Sequence, residues 1–233
     1  MACRPARRGQ TVAWSPALPS NARPRLPRLE YVTEEHLDDV IEVAPDADDE
    51  HDEHEVLDPQ VAARRAAALA HIRRYGDPVL KSRAAQVDRF DDALRDQVDR
   101  MAALMHDALG IGLAAPQIGV SQQLLVYRVG PDGPVVALVN PEVEWSSDDA
   151  EPAEEGCLSI PGILVDVERP VHVRVRARDE NGDDRTVEAS GLEARVIQHE
   201  MDHLNGVLIL DRTTKDQRKE AIRAIRDAER EAA

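Results

Sequence analysis

Apolar positions change their spacing several times along the chain, and each change marks an element. An alanine- and arginine-rich stretch from Val61 to Arg74 predicts a helix, which the turn residues Gly76, Asp77 and Pro78 end. Leu94, Val98, Met101, Leu104, Met105 and Ala108 recur at steps of three and four, predicting a second helix over about 91–108. Leu124–Val129 and Val135–Asn140 read as short strands joined through the turn residues of 130–133. From Val171 to Arg178 apolar and polar residues alternate, the pattern of a half-buried strand, and Asn181-Gly182 predicts a hairpin turn into Arg185–Ala189. A helix over 191–205, stopped by Gly206, leads to a short strand at 207–210 and a last helix over 214–232. Hairpin-joined strands with helices at the ends predict an α+β domain.

The first 60 residues break this pattern. Up to Leu29 they hold six arginines and no acid; from Tyr31 to Gln60 there is no Lys or Arg, and acids cluster around Asp46–Glu55. Like charge with few apolar anchors cannot offset the entropy of ordering, so residues 1–60 are expected to be a disordered extension and 61–233 the folded domain. The Arg-rich, acid-poor start fits an organelle transit peptide, a bacterial tail or an early start codon. His36, His51 and His54 beside acids read as solvated tail residues.

Composition narrows the partners. Aromatic residues make up 3% of the chain, so the core must rest on Val, Leu, Ile and Ala. A net charge of -16 argues against a broad nucleic-acid surface and leaves room for one local basic patch. No apolar run approaches the roughly 20 residues of a membrane span, and no secretory apolar core is visible. No membrane contact and a cytoplasmic, reducing setting are therefore expected, with Cys3 and Cys157 unpaired.

Chemistry concentrates in three segments. In His199-Glu200-Met201-Asp202-His203, a helix would put the two imidazoles at i and i+4 on one face, able to share a metal ion. Glu200 falls about 100° round the axis from His199, beside the ion and not on it, where a general base for water belongs. Asp202 reads as a hydrogen-bond acceptor behind the metal ligands or as a carboxylate on the helix surface. Downstream, Ile209 stands where one protease pattern places its third histidine, and Glu220 and Glu229 belong to a charged terminal helix, so a third ligand must come from upstream. Glu155-Gly156-Cys157-Leu158-Ser159 offers a thiol; its alternative reading is a small buried apolar residue. The third segment, Gly110-Ile111-Gly112-Leu113-Ala114-Ala115-Pro116-Gln117, lacks the Lys and Ser/Thr of a phosphate loop, while its small residues would let a backbone or substrate approach. Gln117 offers an amide donor for a developing oxyanion.

Together these segments resemble the three signature motifs of peptide deformylases, GxGxAAxQ, EGCLS and QHExDHLxG, here at Gly110–Gln117, Glu155–Ser159 and Gln198–Gly206. The resemblance extends from about Arg74 to Leu210, in the family's order. Ile163–Glu168 lacks the basic residue that some members carry after the cysteine motif. The resemblance implies small antiparallel or mixed sheets around a central HExxH helix, with helices at both ends. It also implies removal of the formyl group from formylmethionyl nascent peptides, giving formate.

By the same resemblance Cys157, His199 and His203 hold one divalent ion, natively Fe(II), with Zn(II), Ni(II) or Co(II) as substitutes. Glu200, Gln117 and the backbone N–H of Leu158 act in catalysis, and Ile111, Gly112, Gly156, Leu192 and Val196 meet the substrate. Leu192 and Val196, seven and three residues before His199, also suit a core face. A monomer is expected. The terminal helix carries Lys215, Lys219, Arg223, Arg226 and Arg230 on one stripe; this fits either a docked amphipathic helix or a weak ribosome contact. A zinc endopeptidase, lacking a downstream ligand, and a non-catalytic module, which would have lost Glu200 or a ligand, are the disfavoured alternatives.

Overall fold

The computed structural model describes residues 57–130 and 133–231. The expectations for the extension, including its disorder, Cys3 and the three tail histidines, fall almost wholly outside these residues. Among the described residues five α-helices and seven strands follow in the order α1 (Pro59–Leu69), α2 (Asp92–Asp107), β1 (Gly112–Ala114), β2 (Leu124–Tyr127), β3 (Val136–Ser146), β4 (Ala150–Cys157), β5 (Ile160–Pro170), β6 (His172–Arg178), β7 (Asp184–Ser190), α3 (Gly191–Leu204), α4 (Ile209–Arg212) and α5 (Lys215–Glu231). The class is α+β, as expected. No described helix is long and apolar enough to cross a membrane.

An antiparallel five-stranded sheet in the order β1-β2-β3-β6-β7 forms the centre, and β4 and β5 pair as a separate hairpin. Residue alternation on β2 explains the layering. Leu124 and Val126 point to one face, into a core with Leu94, Val98, Met101 and Met105 of α2; Leu125 and Tyr127 point to the other, packing with Ala194, Ile197 and Met201 of α3. A strand with helices on both faces must be apolar throughout, and all four β2 residues are buried. A third core lies beneath the β4–β5 hairpin, where Val165 and Val167 meet Leu208, Leu210 and Ala221.

Gly206 ends α3's neighbourhood with φ +72, and a Cβ there would stand 2.7 Å from the Lys81 carbonyl carbon. Both the left-handed backbone and the close approach need glycine.

Several boundaries differ from the expectations. The first helix stops at Leu69 and not at Arg74. The strand expected over Val135–Asn140 spans Val136–Ser146, with a register shift between Val139 and Glu142, where Asn140 has φ 52. Residues 207–210 do not form a strand: a single helical turn begins at Ile209, with the Asp211 carboxylate accepting the Leu208 N–H at 2.8 Å. A four-residue apolar run carries no period that separates the two structures. The β4–β5 hairpin had no strand signature, because AEPAEEGC is acidic, and exposed along most of its length.

Candidate active site

Three elements converge on one point. Helix α3 carries His199 and His203 on one face, with ring centroids 5.1 Å apart. Strand β4 ends at Cys157, where the pairing with β5 shifts register after Gly156. Cys157 Sγ lies 3.3 Å from His203 Nε2, and the ligand atoms of Cys157, His199 and His203 lie within 4.8 Å of one another.

The donor set fits a metal ion. His199 Nδ1 is 2.9 Å from Glu155 Oε2, which leaves Nε2 as its remaining ring donor. Burial pushes the Cys157 thiol up, but the charge of His203 and hydrogen bonds with both imidazoles outweigh it and hold the thiol well below its usual value. The thiolate is the form that binds metal. Burial likewise lowers the basicity of His199, and its hydrogen bonds to Cys157 and Glu155 reverse that. Two imidazoles and one thiolate leave a four-coordinate ion one position for water or substrate.

Glu200 stands beside this cluster. It is buried, its Oε2 has no partner among the described residues, and Oε1 faces Gly112. Burial raises its carboxyl above the usual range, the negative Cys157 adds to the shift, and the histidines oppose it. A buried, unpartnered carboxylate with raised proton affinity is suited to accept a proton from water. Gln117, in a 3-10 turn over Ala115–Ile118, is held by its own Oε1 accepting the Ala114 N–H at 2.8 Å. Its Nε2 is thereby aimed at Cys157 Sγ, 3.7 Å away, and at Ser159 Oγ, 3.4 Å away.

Behind the cluster runs a buried chain of charge that residue patterns did not reveal. Arg169 donates to both Glu155 oxygens and, at 2.9 Å, to Asp202. Arg195 adds a bond to Glu155 at 2.9 Å, and Arg212 reaches Asp202 from the surface. Asp202 is thus neither a surface carboxylate nor hydrogen-bonded to a histidine: it is buried and accepts from two arginines. Burial pushes the Glu155 carboxyl up, while Arg169 and His199 hold it down at about 2. Glu155 belongs to the cysteine motif, and its partner comes from the paired strand: the β4–β5 register sets Val165 opposite Glu155 and Arg169 opposite Glu151, and the Arg169 side chain reaches back along β4 to Glu155.

A cleft of about 610 Å³ opens over the cluster. Its walls contain Cys157, Leu158, His199, Glu200 and Gln117, together with Ile111, Gly112, Gly156, Leu192 and Val196; His203 lies beneath, fully buried. Val196 belongs to the α3 core as well, whereas Leu192 stands 54% exposed on the rim.

An HExxH helix that shares a point with a thiol, beside a buried carboxylate at the floor of a cleft, defines a metal-dependent hydrolase. The family model for polypeptide deformylase matches residues 69–219. A peptide deformylase of Thermotoga neapolitana is 50% identical over 144 residues, covering 62% of this chain and 87% of that protein. One from Parafrankia is 46% identical over 162 residues, 70% of this chain and 88% of the relative. Among solved structures, the peptide deformylase of Synechococcus elongatus in complex with actinonin aligns with TM-score 0.64 at 46% identity, over 66% of this chain and 85% of that one. Arabidopsis thaliana peptide deformylase 1B aligns with TM-score 0.65 at 39% identity, over 70% and 91%. The chain belongs to the polypeptide deformylase family, hydrolases that take the formyl group off the N-terminus of nascent polypeptides.

Proposed function

We propose that Cys157, His199 and His203 hold one divalent ion, natively Fe(II), and that Glu200 is the general acid–base of formyl-group hydrolysis on formylmethionyl peptides. The observation that carries this reading is the meeting of the three ligand atoms within 4.8 Å of one another, two of them on the helix that also carries Glu200 and the third at the end of β4. A thiolate with two imidazoles suits Fe(II) or Zn(II), and Ni(II) or Co(II) can stand in. When bound, such an ion polarises a carbonyl and makes water acidic enough to attack at neutral pH.

The chain's own residues then account for the rest. Glu200 takes a proton from the attacking water, whose oxygen adds to the formyl carbon. Gln117 Nε2 and the Leu158 N–H donate to the oxygen that gains charge. As the C–N bond breaks, Glu200 returns the proton to the departing amine, so that formate and a free N-terminus leave. Ile111, Leu192 and Val196 wall the slot for the methionine side chain, while Gly112 and Gly156 allow close approach. The test is Glu200→Ala: metal content by elemental analysis should stay near one per chain, while formate release falls about 10²–10⁴-fold. Near-normal turnover by the metal-loaded variant would remove Glu200 from this role.

Ile222 and Ile225 of α5 pack toward the third core, and Lys215, Lys219, Arg223, Arg226 and Arg230 line an outer groove of about 440 Å³. We infer a weak, salt-sensitive contact of this stripe with ribosomal RNA. Co-sedimentation with ribosomes at low salt should disappear when the five residues become Glu. Its absence in the unaltered chain would sink the contact and leave the hydrolase reading intact.

A further inference from the structure

Helix α1 lies almost entirely before residue 69, where the family match begins, yet it helps to build the substrate cleft. It packs against α2 and contributes Arg65 and Leu69 to the cleft wall. Arg65 differs from the cleft's other arginine. Both Nη groups of Arg195 are engaged, with Glu155 and with the backbone carbonyls of Val167 and Glu151 at 2.6–2.9 Å. Arg65 is half-buried, and its Nε is buried without a hydrogen-bond partner among the described residues. Arg65 enters no ion pair among the described residues, so the outer end of its guanidinium, at the cleft wall, is left to an acceptor supplied from outside.

The rest of the rim sharpens the chemistry. Leu109, Ile111, Leu164 and Leu192 are 47–63% exposed, and all four line this cleft. An apolar rim of this kind suits the chain of a bound peptide beyond its formylated end. Among such side chains a guanidinium attracts a carboxylate more strongly than in open water, and its planar fork matches both carboxylate oxygens. The formylated N-terminus brings no charge of its own, so a charged partner for Arg65 comes from a downstream side chain.

We propose that Arg65 is a specificity-determining residue that selects formyl peptides with an acidic side chain shortly after the formylmethionine. This rests on the formyl-peptide hydrolase reading above. Helix α1 thereby supplies, from outside the family's shared span, a cation that the segment after Cys157 does not.

The test uses the metal-loaded full chain and three pairs of formyl-Met peptides, with Glu or Lys at the second, third or fourth residue. The wild type should show a Glu-over-Lys ratio in kcat/KM of about 5-fold or more at one of these positions, the size expected of one partly exposed charge pair. R65M should bring that ratio close to one, and R65E should invert it. Wild-type ratios near one at all three positions would overturn the proposal. So would an R65E variant, folded by circular dichroism, that keeps the wild-type ratio, or an R65M variant that loses the same factor on Glu and Lys peptides. If the wild type deformylated none of the peptides, the parent reading would fall with it; a changed ratio alone tests only α1.

Discussion

Gly112 and Glu200 face each other so closely that a Cβ on the glycine would overlap Oε1 and stand 2.9 Å from Cγ and Cδ of the glutamate. Gly112 has ordinary strand pairing, opposite Tyr127, and no positive φ, so the backbone itself would accept alanine. The glycine is needed for the space in which the carboxylate sits. Gly112→Ala should therefore keep its metal and displace Glu200, lowering kcat by about 10- to 100-fold, part of what a general acid–base contributes. Overpacking should also cost about 1–3 kcal/mol of stability. Elemental analysis beside formate-release kinetics would show it; unchanged kcat would mean the carboxylate has room to move.

Metal removal gives a second expectation. The three ligand atoms come from α3 and the end of β4, elements far apart in sequence, so an ion joining them binds only the folded chain and must stabilise it. Chelation should lower the melting temperature as well as abolish activity, and re-addition of Fe(II) or Ni(II) should restore both. In Cys157→Ala neither chelator nor added metal should shift the melting curve. Wild-type metal content in that variant would overturn the assignment of the thiol.

The Arg169 guanidinium is almost wholly buried between Glu155 and Asp202, at 4% side-chain exposure. Replacing it by methionine preserves bulk and leaves two buried carboxylates short of a partner, a loss of about 3–5 kcal/mol. Because Glu155 orients His199, the variant should also bind metal about 10- to 100-fold more weakly. Denaturant unfolding and a metal-competition titration measure the two effects separately. Wild-type metal affinity in a destabilised Arg169→Met protein would confine the arginine to a structural role.

Asp211 provides the pH-dependent case. Burial pushes its carboxyl up, and the Lys81 ammonium at 2.6 Å together with the Leu208 N–H outweighs this, so its pKa lies below the ordinary 3.8. A depressed carboxyl adds stability above its unfolded value and loses it as pH falls through the folded one. Asp211→Asn should cost about 1 kcal/mol at neutral pH, the size of a helix cap. The gap to the wild type should close below about pH 3.8. A gap that stays constant down to pH 2.5 would show that charge is not the cause.

The motifs that carry the chemistry were legible because each depends on short-range spacing. A helix of 3.6 residues per turn puts His199 and His203 on one face whatever surrounds it. Alternation along Val171–Arg178 and three-four spacing through α2 likewise report burial directly, and the structure places elements there. Other regions left no such trace. The acidic run of β4 is a strand only because it pairs with β5, in one register from Ala150 to Gly156, and residues 207–210 are too few to show a period.

Sequence alone thus determined the family, the helix that carries the histidines and the residues available as ligands, since local periodicity and motif spacing are properties of neighbouring residues. Only the tertiary structure decided that Glu155 orients His199, that Asp202 turns away to two arginines, and that Arg65 of α1 reaches the cleft. Those relations join residues 10 to more than 100 positions apart, and they follow from which strands pair and which helices pack. A buried charge must find its partner in space, and the spacing of residues along the chain does not say where that partner is.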